Sequence, residues 1–427
     1  MRLSFSVWAV CAGTSLIACG GGSSHRNVPP AESDASVDAG SGGAPGSGGK
    51  GGGGAPGAGG AIANGGASPK DAGAGGVPEA GTDAGPVCPD GVDLQTDPEH
   101  CGECTRNCAA AGATCAGGYC SAVTLDPSAP ALFSTIGNGA LYTLKTSAIP
   151  VSSYTIERIA LDGTDHHQFY AAATGMGDST FYADDTYLYW ADSDTPPKVF
   201  RKAGTAASAA APEVVFQPVD RPRRFTASGG TFYWVGGMYN VPAYVYSRPM
   251  VVAPDAGNDP GVQIVTTDQH YVSAFAVTSD AIYWVARNTG AAQLLTVPLA
   301  GGTPVPVPGA TVKDNAPMQA VGKKLYFASS SGNASPTNGI YVYETGDAQA
   351  TELFPNDSIN TLVVDDTSLF YRAGYVDNTL WKVPLAGGTA TPVVKTIELG
   401  GVAGQDETYI YTAHDWGSDG PALKIVK

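Results

Sequence analysis

Six cysteines stand between residues 88 and 120, and they are the densest group of chemistry-bearing side chains in the 427-residue chain: Cys88, Cys101, Cys104, Cys108, Cys115 and Cys120. An even number of thiols in a short stretch with almost no apolar residues predicts three disulfides in an exported module. Six thiols allow fifteen pairings, and spacing alone does not choose among them. The competing chemistry is a zinc site, because Cys101 and Cys104 have ligand spacing and His100 is adjacent. Disulfides are preferred because thiols exposed outside the cytoplasm oxidise.

Beyond residue 120 the polar candidates are scattered through loops. Asp178, the triplet Arg221, Arg223 and Arg224, then Asp268 and His270, Lys313 to Asn315, and Asn356 with Asp357 each precede a short apolar strand. Arg223, Arg224, His270, Asp314, Asn315 and Asp357 form the candidate ligand face, weighed against an ordinary solvated loop surface. Asp184–Asp185 and Asp365–Asp366, with Asp280 and Asp406 in matching positions, could suggest calcium. All four fall in a turn between strands, where aspartate caps its own backbone, and turn chemistry is the stronger reading. His166 and His167 are expected on an outer strand, and His414, Asp415 and Trp416 could line a groove. No GxSxG, HExxH or phosphate-loop pattern occurs, so no catalytic residue is nominated and neither a metal nor a cofactor is expected.

The elements that must position these groups repeat. ALYTL, YLYWAD, TFYWVGG, AIYWVAR, KLYFASS, SLFYRAG and YIYTAHD recur between Ala140 and Asp415 at intervals of 41 to 50 residues. A strand-type unit at that period, unable to bury its own apolar face, predicts a propeller. VPLAGGT at Val297–Thr303 and again at Val383–Thr389 supplies Gly-Gly hairpins. The fold expected is all-β: seven four-stranded antiparallel blades. The seventh runs out after three strands (Val402–Gly404, Thr408–Ala413, Ala422–Lys427), so Ser121–Leu125 is expected to close it and remove both exposed edges. The innermost strands are expected at Phe133–Ile136, Ser179–Ala183, Phe225–Ser228, Ser273–Thr278, Met318–Val321, Ile359–Val364 and Val402–Gly404. They contain no His, Asp, Glu or Lys, so the channel wall lacks the convergent titratable groups of a metal site or general base.

Four segments follow: a signal peptide at 1–18, a tether at 19–87, the cysteine module at 88–120 and the propeller at 121–427. The apolar run Phe5–Ala18 behind Arg2 is too short to span a bilayer and has the form of a secretory signal. Residues 20–87 hold 23 glycines in 68 positions and no Phe, Tyr, Trp or Cys, which predicts a disordered tether. Its expected span is about 45 Å. A net charge of −16 with no basic stripe argues against nucleic-acid partners and against electrostatic docking to anionic lipid.

Three resemblances add to this reading. Leu16-Ile17-Ala18-Cys19 resembles the lipobox of bacterial lipoproteins, which implies cleavage before Cys19 and a diacylglycerol on its sulfur; Gly20 after it implies the outer membrane. DLQTDPEHCGECTRNC (Asp93–Cys108) with CAGGYC (Cys115–Cys120) resembles the cysteine-rich module of stigma-specific-type proteins, similar to modules in exported myxobacterial proteins. IERIALDGTDHH (Ile156–His167) with YWAD (Tyr189–Asp192) looks like the YWTD repeats of low-density-lipoprotein-receptor propellers, which implies protein or ligand binding and no reaction. The expectation is an envelope protein, attached to the membrane through its lipid alone, whose propeller binds a protein or carbohydrate ligand without catalysis. The alternative is a propeller enzyme, a lyase or hydrolase, with its site on the loop face.

Overall fold

The computed structural model describes Cys88 and residues 91–427, apart from 128–132, 147–153, 173–175, 193, 238–242, 251–260, 267–270, 288–291, 330–337, 357–358, 374–378, 396–400 and 414–419. Cys19, the signal segment and the Gly-rich tether lie outside the described residues, as do His270, Asp357 and the triplet His414–Trp416.

Seven four-stranded antiparallel sheets follow one another, each ordered from an innermost to an outermost strand. Blade 4 runs Tyr271–Val277, Ala281–Arg287, Ala292–Pro298 and Val305–Pro306. Innermost strands of successive blades touch all the way round, including Gly401–Gln405 of blade 7 against Phe133–Gly137 of blade 1. The ring is therefore closed. The fourth strand of blade 7 is Val123–Asp126, which pairs Val123 with Lys424, Thr124 with Leu423 and Asp126 with Ala422. Outer edges that would otherwise stay open are thus covered by chain from the start of the propeller.

The aromatic second strands make the core. Residues 281–286 of blade 4 are all buried, because alternate side chains of a strand face opposite sides and here each side meets a neighbouring blade. Tyr283 and Val285 pack with Leu325 and Phe327 of blade 5, whereas Ile282 and Trp284 pack with Tyr233 and Val235 of blade 3. Trp190, Trp234 and Trp284 are each at most 1% exposed. Truncating one such anchor to alanine would cost on the order of 3–5 kcal/mol.

Turn chemistry follows two schemes. In blades 1 and 3 a two-residue turn joins the first two strands, with Asn138–Gly139 (φ 48° and 64°) and Gly229–Gly230 (φ 56° and 74°) in the left-handed region. In blades 2, 6 and 7 an aspartate caps the turn. Asp184 Oδ1 accepts from the N–H groups of Thr186 and Tyr187, and Asp406 Oδ1 from those of Thr408 and Tyr409, all at 2.7–2.8 Å. Blade 4 departs from the expected alignment: Thr278, not Asp280, holds the capping position, its Oγ1 accepting from the Ala281 N–H at 3.0 Å. Asp280 accepts from the Thr278 hydroxyl instead.

The cysteines form three disulfides, Cys88–Cys104, Cys101–Cys115 and Cys108–Cys120. The sulfurs of Cys101, Cys108 and Cys115 lie within 4.8 Å of one another, but all three are spent in disulfides. The module lies against the ring: Cys101, Cys108 and Cys120 share a buried cluster with Val426, which Val123 and Tyr409 flank.

Candidate functional site

Three residues of the expected ligand face, Arg224, Asp314 and Asn315, make contacts between blades. Arg224 begins the innermost strand of blade 3, and its Nη2 donates to the Ser273 carbonyl of blade 4 at 2.8 Å. Ser273 is a bulged residue, since the register slips between Val272 and Ala274. Its hydroxyl accepts from the Asn315 N–H at 3.1 Å, ahead of blade 5. Asn315 has φ 56°, a conformation asparagine tolerates better than most residues. Asp314 pairs with Arg287 of blade 4 at 2.5 Å. The Arg223 N–H donates to the Val235 carbonyl. Arg224, Asp314 and Asn315 are thus brought together, and the contacts they make run between blades of the ring itself. One expectation about the channel wall is corrected: the innermost strand of blade 2 starts at Met176, which places Asp178 within it.

The opposite mouth, where innermost strands leave the channel, carries a cavity of about 470 Å³. Its lining comes from three blades: Gln319 and Val321 of blade 5; Val364, Asp365, Asp366 and Thr367 of blade 6; Gln405, Asp406, Glu407 and Lys427 of blade 7. The inner edge of a blade has backbone groups with no strand to pair with. At Val364 they are satisfied by glutamines of both flanking blades. The Val364 N–H donates to Gln319 Oε1 at 2.8 Å, while its carbonyl accepts from Gln319 Nε2 at 3.2 Å and from Gln405 Nε2 at 2.6 Å. Gln405 Oε1 is buried with no partner among the described residues.

Four carboxylates and one ammonium line this space. Asp365 Oδ1 accepts from the N–H groups of Thr367 and Ser368 at 2.9 and 2.8 Å. Burial works against ionisation of Asp365, but the Thr367 N–H, the Lys427 ammonium and the Ser368 N–H outweigh it and hold the carboxyl below the usual range. Asp406 Oδ1 likewise accepts from two backbone N–H groups, those of Thr408 and Tyr409, and its Oδ2 accepts from the Tyr411 hydroxyl at 2.6 Å. Burial and the neighbouring Asp406 push the Tyr411 phenol well above its ordinary value. Asp366, Asp406 and Glu407 are the exposed rim carboxylates. The arrangement offers the rim carboxylates as acceptors and one ammonium as donor, a set that recognises hydroxyls or amines. The Asp-Asp motif was visible in the sequence; Gln319, Gln405 and Lys427 were not singled out.

The closed ring of seven sheets and the three disulfides define a seven-bladed β-propeller with a stapled N-terminal module. No family model matches the chain. No curated protein matches it either. Among solved structures it is similar to an oligogalacturonate lyase in complex with manganese, at 13% identity and a TM-score of 0.53 over 74% of this chain and 93% of that one. It is also similar to a puromycin-hydrolyzing peptidase of Mycobacterium tuberculosis, at 15% identity and a TM-score of 0.52, and to a puromycin hydrolase mutant complexed with PGG, at 10% and 0.51. The match to each peptidase covers 68% of this chain and 50% of the peptidase, so the chain spans half the length of those proteins. At these identities the likeness is one of fold.

Proposed function

We propose that this chain is an exported envelope protein, anchored through a lipid on Cys19 in the outer membrane, whose propeller is a non-enzymatic binding platform for a hydroxyl- or amine-bearing carbohydrate or protein of the envelope. The observation that carries the binding reading is the cavity across blades 5, 6 and 7. Its floor is fixed by the Gln319 and Gln405 bonds to Val364, and its rim presents the carboxylates of Asp366 and Glu407. A preformed hollow with a few placed polar groups is how proteins usually seat small ligands. The membrane reading rests on Leu16-Ile17-Ala18-Cys19, since two or more acyl chains suffice for stable anchoring.

Titration calorimetry of the protein against envelope saccharide and peptide fractions tests the binding reading. Asp366→Asn combined with Glu407→Gln should weaken any saturable binding about tenfold, the equivalent of about 1.4 kcal/mol; unchanged affinity would remove the cavity from consideration. Metabolic labelling with an alkyne fatty acid tests the anchor, and a label that survives Cys19→Ser would defeat it.

A further inference from the structure

We propose that the cysteine module is the clasp of the ring, holding the closing strand Val123–Asp126 in blade 7, and is not a spacer set before the propeller. Every other outermost strand follows its neighbour in sequence across a connection of at most twelve residues, so its pairing is local. The closing strand has no such connection. It meets Ala422–Val426 across nearly the whole propeller sequence, through three residue pairs and with a register slip between Thr124 and Asp126. The entropy of closing so long a loop falls on very few bonds.

The module supplies what those bonds lack. Cys120 lies just before the closing strand and is tied covalently to Cys108; both are at most 1% exposed. Between them and the strand, the Ser121 N–H donates to the Thr114 carbonyl at 2.8 Å and the Thr114 N–H donates to Ser121 Oγ at 2.9 Å. The direction in which the chain leaves the module is therefore fixed before it reaches the sheet. On its other side the module grips the partners of that strand. Its buried cysteines pack on Val426. Arg106, 4% exposed, donates from Nε to the Lys427 carbonyl at 3.4 Å. Tyr119–Cys120 lies against Thr391–Lys395, the outermost strand of blade 6, and Glu103 approaches Lys382 of the same blade at 3.9 Å. One stapled unit thus bridges blades 6 and 7 and carries the closing strand on its end.

Hydrogen–deuterium exchange on the full chain tests this. Replacing Cys108 and Cys120 together with serine should speed exchange of the amides in Ala422–Val426 and Tyr409–Ala413 about tenfold or more, while Thr231–Gly236 and Ala281–Arg287 keep their protection. Arg106→Ala, which leaves all three disulfides in place, should produce the same pattern at smaller amplitude, and it decides the matter if the cysteine variant does not fold. Unchanged protection in blade 7 would mean that the module only precedes the ring. Equal loss in all seven blades would mean that it supports the fold generally. Either result overturns the proposal.

Discussion

The Lys427 ammonium lies 2.9 Å from Asp365 Oδ2, in the place where blades 2 and 7 put a tyrosine hydroxyl. In those blades the residue five positions after the turn aspartate is Tyr189 or Tyr411, and each donates to Oδ2 of its own Asp184 or Asp406. Blade 6 has Phe370 at that position, and Lys427 reaches across from blade 7, passing 5.7 Å from the Phe370 ring centroid. Blade 6, which has no hydroxyl at this position, takes its donor from the neighbouring blade.

This exchange can be reversed. Lys427→Met leaves Asp365 Oδ2 without its donor and should cost about 1 kcal/mol. Adding Phe370→Tyr should recover most of that loss, because the new hydroxyl then sits where Tyr189 and Tyr411 place theirs. Thermal unfolding of the two single variants and the double variant measures the coupling. Strict additivity would show that Lys427 and the repeat tyrosine do different jobs.

The same aspartate sets a pH dependence. Its folded-state ionisation lies below the usual carboxylate range, so the unfolded chain takes up the proton first as the pH falls. Stability from Asp365 is therefore fully present above pH ~4 and disappears as the pH drops through the folded value. The stability gap between the native protein and Asp365→Asn should stay constant from neutral pH down to about 5 and narrow only below about 4. A gap that narrows near neutrality would assign the effect to another group.

The paired Gly-Gly turns separate backbone strain from crowding. Gly301 and Gly387 open the same turn in blades 4 and 6, with φ of 88° and 89°. A Cβ on Gly387 would meet nothing within 4 Å, whereas one on Gly301 would lie 2.8 Å from the Ile264 carbonyl oxygen and 3.1 Å from Ile264 Cγ2. Gly387→Ala should then cost only the left-handed penalty of about 1–2 kcal/mol. Gly301→Ala should cost about 1–3 kcal/mol more through overpacking. Chemical denaturation of both variants checks this, and equal costs would refute the steric assignment.

Much of the ring was legible in the sequence because its determinants are local. The aromatic strands, the Gly-Gly turns and the aspartate caps each act within about a dozen residues, and a missing fourth strand in blade 7 left one candidate to fill it. The cavity was not legible, because it depends on what meets across blades. Nothing in the neighbourhood of Gln319 or Gln405 says that both reach Val364, and nothing beside Arg224 says that it donates to the Ser273 carbonyl of the next blade. One signal was present: Phe370 interrupts the tyrosine series, and an interrupted repeat invites a search for what replaces the lost group. The disulfide pairing was closed to sequence for a related reason, since Cys101 bonds Cys115 and not the nearby Cys104, a choice made by the path of the chain.

The two glutamines that hold Val364 should not be equivalent. Gln319 both accepts from the Val364 N–H and donates to its carbonyl, so Gln319→Leu leaves an N–H at the inner edge of blade 6 without its acceptor. Losing the partner of a partly buried donor costs about 1–3 kcal/mol. Gln405 donates only to the carbonyl, which Gln319 already serves, and its own Oε1 has no partner among the described residues. Gln405→Leu removes that orphaned oxygen together with a redundant bond, so the two effects offset and the cost should stay under about 1 kcal/mol. Denaturant unfolding ranks the pair. If Gln405→Leu proves the more damaging, Oε1 has a partner in solution, and the floor of the cavity is held from blade 7 more than from blade 5.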